Sequence, residues 1–498
     1  MKYVKFKSRM LIVGCGAVAR CAIPLVLQLI DIPAEKVTVI DFVDNRPKIK
    51  DLLNKGVNYI LGKITKDNYA HLLRNFVAPG DMIIDLAWNI DCLAMMRFCR
   101  DNEILYVNTS VEDWDPYVDE ERNDPTRYTL YSRHMELRAL VNSEWRNNNG
   151  ATAIVDHGAN PGLVSHFTKH ALNQIAAKIL KEKPDDKRRP SLEAALNGKN
   201  FARLAQLTGV KVIHISERDS QITDQPKKMN EFVNTWSIEG FFEEGVAPVE
   251  IGWGTHERTL PSGAYTHQSG PGNQICLNSI GIKTWIRSWV PSGQITGLVI
   301  RHGEAYSISD RLTVWKDGRA EYRPTVCYAY CPCDGAVNSL HELEMREFKL
   351  QENQRIMSTE IIDGRDELGV LLLGHDYTGW WCGSTLSIHD ARKLAGPDQQ
   401  ATILQVASSV VAAAVWAIEN PRRGFLLPDD LDHEEILDIC LPYIKPFVST
   451  AIDWTPLKNL NTKFTRFDLP QPGEEDVWQF ATFLADHRER AKAAQNNV

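Results

Sequence analysis

The sequence predicts an α/β protein: a parallel sheet wound with helices at the N-terminus, followed by a second, α+β domain whose sheet is mostly antiparallel. Three observations carry that expectation. Short apolar strands alternate with helix-length segments through the first part of the chain. A glycine-rich turn follows the first of these strands. Beyond residue 190 the alternation gives way to β-rich segments separated by turn residues. At 498 residues the chain exceeds what one core serves, and three segments are expected, 1–160, 161–395 and 396–498.

Taken in order, residues 9–13 form an apolar strand, and Gly14-Cys15-Gly16-Ala17-Val18-Ala19 opens an apolar helix. Pro24 inside that helix predicts a kink. Further strands are expected at 37–40, ending at Asp41, and at 81–88, 104–108 and 151–155. The turn GANPG (158–162) starts a helix, with Asn160 as cap and Pro161 in the first helical position. The lysine- and proline-rich stretch 178–190 reads as a solvated linker or insertion. Strands follow at 210–215, 298–301, 312–315 and 369–373. Residues 404–418 are a long apolar helix stopped by Asn420-Pro421, expected to return to the first domain.

The first turn is a Rossmann-type dinucleotide fingerprint. Gly14 and Gly16 let the backbone turn tightly and approach a pyrophosphate, and the N–H groups of Ala17, Val18 and Ala19 at the helix start favour that anion. Ala19 fills the small third position. Asp41 stands where an acid binds the ribose hydroxyls and repels a 2′-phosphate, so NAD is expected over NADP.

A net charge of -8, from 56 basic and 64 acidic side chains, disfavours nucleic acid or an anionic membrane as the main partner. No run of about eighteen apolar residues predicts a membrane span. The ten cysteines at irregular spacing point to reduced thiols and a cytoplasmic setting. Cys327, Cys331 and Cys333 cluster, but their spacing matches no common zinc pattern, so no metal is expected.

The segment 233–256, VNTWSIEGFFEEGVAPVEIGWGTH, mixes indoles, carboxylates and glycines densely. That combination suits an organic cation, because an indole face attracts an ammonium while carboxylates accept its hydrogen bonds.

GANPGLVSHF (158–167), HISERDSQ (214–221), VNTWSIEGFFEEG (233–245), EIGWGTHE (250–257), YRPTVCYAYCPC (322–333) and DELGVLLLG (366–374) are similar to blocks of the bacterial homospermidine synthases, and the resemblance extends to DWTPL (453–457). It implies a saccharopine dehydrogenase-like architecture with an interrupted Rossmann domain, a homodimer and NAD that stays bound through the reaction. The implied reaction oxidises putrescine to an imine, exchanges ammonia for a second putrescine and reduces the new imine to homospermidine, with no net redox change. Spermidine is an alternative aminobutyl donor.

The same resemblance implies roles for particular residues. Trp236 faces the transient cation and Glu244 lies beside the reacting nitrogen. Glu217 and Glu112 bind ammonium groups or shuttle protons. Asp366, with Asp363 as a second candidate, is an acidic contact. His302, or Arg301 after a one-residue slip, lies near the pocket, where a histidine relays protons near neutral pH. Asn160 is a pocket residue, and together with Thr65 and Pro161 it joins the cofactor contacts. One departure is evident: Asn89 stands where an acid is expected, with Asp91 as a possible substitute. The rival reading is a saccharopine- or carboxyspermidine-type dehydrogenase, which needs an arginine for a substrate carboxylate; Arg218, Arg258 and Arg301 are the candidates.

Overall fold

The computed structural model describes residues 2–114, 124–458 and 472–486. The chain forms two compact units, each assembled from separated stretches. The first comprises Met1–Asn123, Ser132–His166 and His389–Ile444; the second comprises Asp124–Tyr131, Phe167–Ile388 and Lys445–Val498.

In the first unit seven parallel strands lie in the order Phe425–Leu426, Ala153–Ile154, Leu105–Asn108, Met82–Asp85, Met10–Val13, Val37–Asp41, Asn58–Leu61. Strands covered on both faces are apolar without alternation, and MLIV, MIID and LYVN are buried throughout. The chain leaves Met10–Val13 first toward Val37–Asp41 and later returns on its other side as Met82–Asp85. That reversal is the switch point at which doubly wound sheets bind ligands, beyond the strands' carboxyl ends. The helix Ala17–Leu29 runs unbroken through Pro24 and packs on Ala401–Glu419. Ala401–Glu419 is long and apolar enough to cross a membrane by length and composition, but 89% of its most apolar stretch is buried inside the protein, which marks it as a core helix.

In the second unit a ten-stranded sheet runs Ala264–Thr266, Gln274–Ile280, Pro248–Gly252, Thr325–Cys331, Val212–Asp219, Arg365–His375, Thr378–Ser387, Phe447–Ile452, with the hairpin Trp285–Val290/Gly293–Leu298 joined to Thr325–Cys331. Among the described residues, Thr325–Cys331 and Val212–Asp219 are its one parallel pair. The pleat separates two chemistries. Val212, Cys327, Ala329, Leu371, Leu373 and Trp381 share an apolar cluster with Trp454 and Phe483. Period-two alternation therefore puts Glu217, Asp219, Tyr328, Tyr330 and Asp366 together on the opposite face.

Four expectations are corrected. The stretch 178–190 is no linker: the helix Leu163–Glu182 runs into it and Arg189–Asn197 begins within it, and Arg188 pins the turn by ion pairs to Asp186 and Asp376. The helix after GANPG starts later than expected, and Pro161 is not its first residue. Gly162 has φ +131°, which no helical residue adopts, so the helix starts at Leu163 and Asn160-Pro161 belong to a turn closed by Gly158 N–H donating to Pro161 C=O at 2.7 Å. The strand expected at 298–301 ends at Leu298, because the helix Gly303–Arg311 follows. The C-terminal return to the first unit stops at Ile444, since Phe447–Ile452 pairs with Thr378–Ser387 at the edge of the second sheet.

Candidate active site

In the first unit the fingerprint turn has the shape a pyrophosphate requires. Gly14 has φ +89°, and a Cβ there would lie 2.9 Å from the Leu86 carbonyl, so only glycine fits. A Cβ on Gly16 would meet nothing within 4 Å, which leaves its backbone open to a ligand. No side chain caps the helix Ala17–Leu29, so the N–H groups of Ala17, Val18 and Ala19 keep their anion-binding capacity. Asp41 ends its strand and accepts from Cys15 N–H at 2.6 Å and Val43 N–H at 2.8 Å. A dinucleotide's ribose diol finds lone pairs on that carboxylate, and a 2′-phosphate finds repulsion. The residues present fit NAD. Thr65 follows the neighbouring strand Asn58–Leu61, its N–H donating to Asn68 Oδ1.

Asn89, Glu112 and Asn160 also belong to this unit. Asn89 follows the strand Met82–Asp85 at φ +57°, with Oδ1 buried and without a hydrogen-bond donor. The Asp91 side chain accepts from Ala94 N–H at 2.7 Å and caps the helix Cys92–Asp101. Glu112 is buried, and its carbonyl accepts from Cys92 N–H. Asp85 is buried at the strand end, where burial pushes its carboxyl up to about 7 against bonds from Ala87 N–H and the Tyr106 hydroxyl.

In the second unit the structure brings Trp236, Glu217, Glu244 and His302 into one array. Ser237 caps the helix Ile238–Val246 by accepting from Gly240 N–H, which leaves Trp236 just ahead of the first turn and Glu244 in the last. The Trp236 indole donates to the Tyr330 hydroxyl at 2.9 Å. Tyr330 stacks on Tyr328 with ring centroids 5.5 Å apart, and Tyr328 donates to Glu217. The Tyr328 ring also meets His302 edge-on at 4.3 Å. His302 Nε2 lies 3.1 Å from Glu244, and Nδ1 lies 3.3 Å from the wholly buried Glu304.

These contacts set the charges. Burial alone would lower the His302 pKa, but Glu304 and Glu244 override it and hold the imidazole well above its ordinary range. The two carboxyl groups thus favour the protonated imidazole. Burial, reinforced by Glu217, keeps the Tyr328 and Tyr330 phenols protonated. Asp366 is buried directly across the sheet from Asp219, whose carboxyl burial raises to about 6 against bonds from Thr235 and Gln221. Asp363 lies at the end of the strand Ile361–Asp363, half a turn of chain away and exposed.

Two of the three candidate arginines are ion-paired elsewhere. Arg301 pairs with the buried Glu243, and Arg258 with Asp476. Arg218 reaches Ser292 at 3.2 Å and, by the pleat, projects from the face opposite Glu217. Cys327 lies in the apolar cluster and Cys333 heads the helix Asp334–Met345; burial raises both thiols. Sequence reasoning missed Tyr328, Tyr330, Asp219 and Glu304. The first three repeat at period two within YAY and ERD, a signal for a shared face; Glu304 carried none.

Two family models match the chain: the saccharopine dehydrogenase NADP binding domain over residues 10–154 and the saccharopine dehydrogenase C-terminal domain over residues 158–452. A homospermidine synthase from Blastochloris viridis is 40% identical over 492 residues, covering 97% of this chain and 98% of that protein. The chain belongs to the homospermidine synthase family. A second homospermidine synthase, from Mesorhizobium japonicum, is 38% identical, with 97% of each chain covered. The crystal structure of homospermidine synthase from Legionella pneumophila in complex with NAD matches with a TM-score of 0.84 at 39% identity, over 97% of this chain and 98% of that one.

Proposed function

We propose that this homospermidine synthase family member is an NAD-dependent aminobutyl transferase that joins two putrescines into homospermidine and releases ammonia, with spermidine as an alternative donor. The observation that carries the reading is the array of Trp236, Glu217, Glu244 and His302: an indole face beside carboxylates, with Arg301 already paired to Glu243. An acid-rich face suits a diammonium substrate, whereas a substrate carboxylate would need a free guanidinium. NAD suits Asp41 better than the NADP named in the domain model's description does.

Bound NAD supplies the acceptor and donor of two electrons. This chain's residues do the rest. Glu217, oriented by Tyr328, accepts from a substrate ammonium. The Trp236 face stabilises the cationic imine, and Tyr330 fixes its plane. Glu244, held by His302, accepts from the reacting nitrogen and passes protons as ammonia leaves and the second amine adds. Asn89, Glu112, Asn160 and Asp366 are further substrate contacts. The atoms balance: two diamines give one triamine and one ammonia, with no net oxidation. The chain acts in the cytoplasm as a homodimer.

The reading is tested with putrescine deuterated at both terminal carbons, in medium holding excess unlabelled NADH. The reading predicts that all deuterium is kept at the carbon bonded to the new secondary amine, because the electrons return within one site. Loss of one deuterium to the NADH pool would contradict it.

A further inference from the structure

Glu304 is the most completely buried carboxylate in the array, fully shielded from solvent, in the first turn of the helix Gly303–Arg311. Neither of its oxygens has a hydrogen-bond donor of good geometry, and His302 Nδ1, 3.3 Å away, is its one ion-pair partner among the described residues. An isolated carboxylate in such a place costs several kcal/mol unless a cation compensates it. The imidazole is the compensation, and its other nitrogen is turned to Glu244, the only one of the three side chains with substantial exposure, at 26%.

We propose that Glu304 is a positioning residue that fixes His302 as an imidazolium, so that Nε2–H donates to Glu244 and aims its carboxylate as the ammonium acceptor. In the row Glu304–His302–Glu244 the imidazole lies between two carboxyl groups, and Glu244 is the end a substrate reaches. Other groups packed around it do not compete for the imidazole. Tyr328, from the strand Thr325–Cys331, is spent on Glu217, and Arg301 is neutralised by Glu243. Glu250, from the strand Pro248–Gly252, is taken by the Leu130 and Tyr131 N–H groups and by Gln274, and the Cys276 thiol of Gln274–Ile280 is held neutral by burial. Sequence spacing alone gives Glu304 no such role; the helix start at Gly303 turns it back onto its own cap residue.

The assignment rests on the proposed transferase reading for its kinetic readout only. The test uses the full chain with its cofactor, labelled with ¹⁵N-histidine, with His302 identified by the signals lost in His302→Gln. The unsubstituted protein is expected to show both His302 nitrogens protonated through neutral pH. In Glu304→Gln, His302 should titrate about one pH unit or more lower, and the alkaline limb of kcat/KM for homospermidine formation should move down with it. A neutral His302 at pH 7 in the unsubstituted protein, or an unchanged titration in a folded Glu304→Gln, overturns the proposal. Should Glu304→Gln fail to fold, the unsubstituted protein's spectrum still decides. Absence of homospermidine from the unsubstituted enzyme would contradict the transferase reading and leave the histidine spectrum to judge Glu304.

Discussion

Trp236 keeps its indole plane through two contacts, the Nε1–H bond to Tyr330 and a tilted packing against Phe241 at 5.3 Å. A ring so anchored presents its π face without paying rotamer entropy when a cation arrives. Desolvated cation–π contacts are worth about 2 kcal/mol, so Trp236→Ala should lower kcat/KM for putrescine roughly 30-fold, with Trp236→Phe retaining much of the activity. Steady-state homospermidine formation measures both, and an unchanged kcat/KM in Trp236→Ala would remove the indole from recognition. At this scale the sequence was partly legible. Trp236, Glu217 and Glu244 stand in blocks whose acid and indole content already suggests a cation site. Tyr328, Tyr330 and Glu304 were not singled out, because their meaning depends on the sheet pleat and on how the helix Gly303–Arg311 packs against Thr325–Cys331.

Asp85 shows how an element's end can store a titration. The strand Met82–Asp85 is buried throughout, and among the described residues its last side chain has no cation, only the Ala87 N–H and the Tyr106 hydroxyl. Its carboxyl is raised to about 7 in the folded protein, above the ordinary aspartate value of 3.8. The folded state therefore holds a proton that the unfolded state gives up between those values, and stability falls by about 1.4 kcal/mol per pH unit across that window, levelling above it. Asp85→Asn keeps the acceptor and removes the titration. It should leave the melting temperature unchanged near pH 4 and raise it increasingly up to pH 7. Thermal melts across this range check it; equal effects at both ends would contradict the account. Element types were legible for the first sheet because buried parallel strands are plain apolar runs. Boundaries were less so. The charged residues of 178–190 read alike as linker or as two helix ends, and GANPG reads as a helix start until Gly162 is seen at positive φ.

Neither unit is a continuous stretch of chain, and this limited what the sequence conveyed about the whole molecule. The short segment Asp124–Tyr131 belongs to the second unit because Glu250 captures the Leu130 and Tyr131 N–H groups, a contact between residues far apart in sequence. The return of Ala401–Glu419 to the first unit was readable from its apolar length; the departure at Lys445 was not, since Phe447–Ile452 is an ordinary edge strand whose partner only the fold reveals. For the molecule as a whole, the central claim is electron borrowing within one NAD-dependent enzyme. The most direct measurement is anaerobic incubation of the purified protein with putrescine and catalytic NAD, following polyamines, ammonia and NADH together. The account predicts homospermidine and ammonia in equal amounts with no accumulation of NADH; NADH formed in step with putrescine consumed, and no new polyamine, would contradict it.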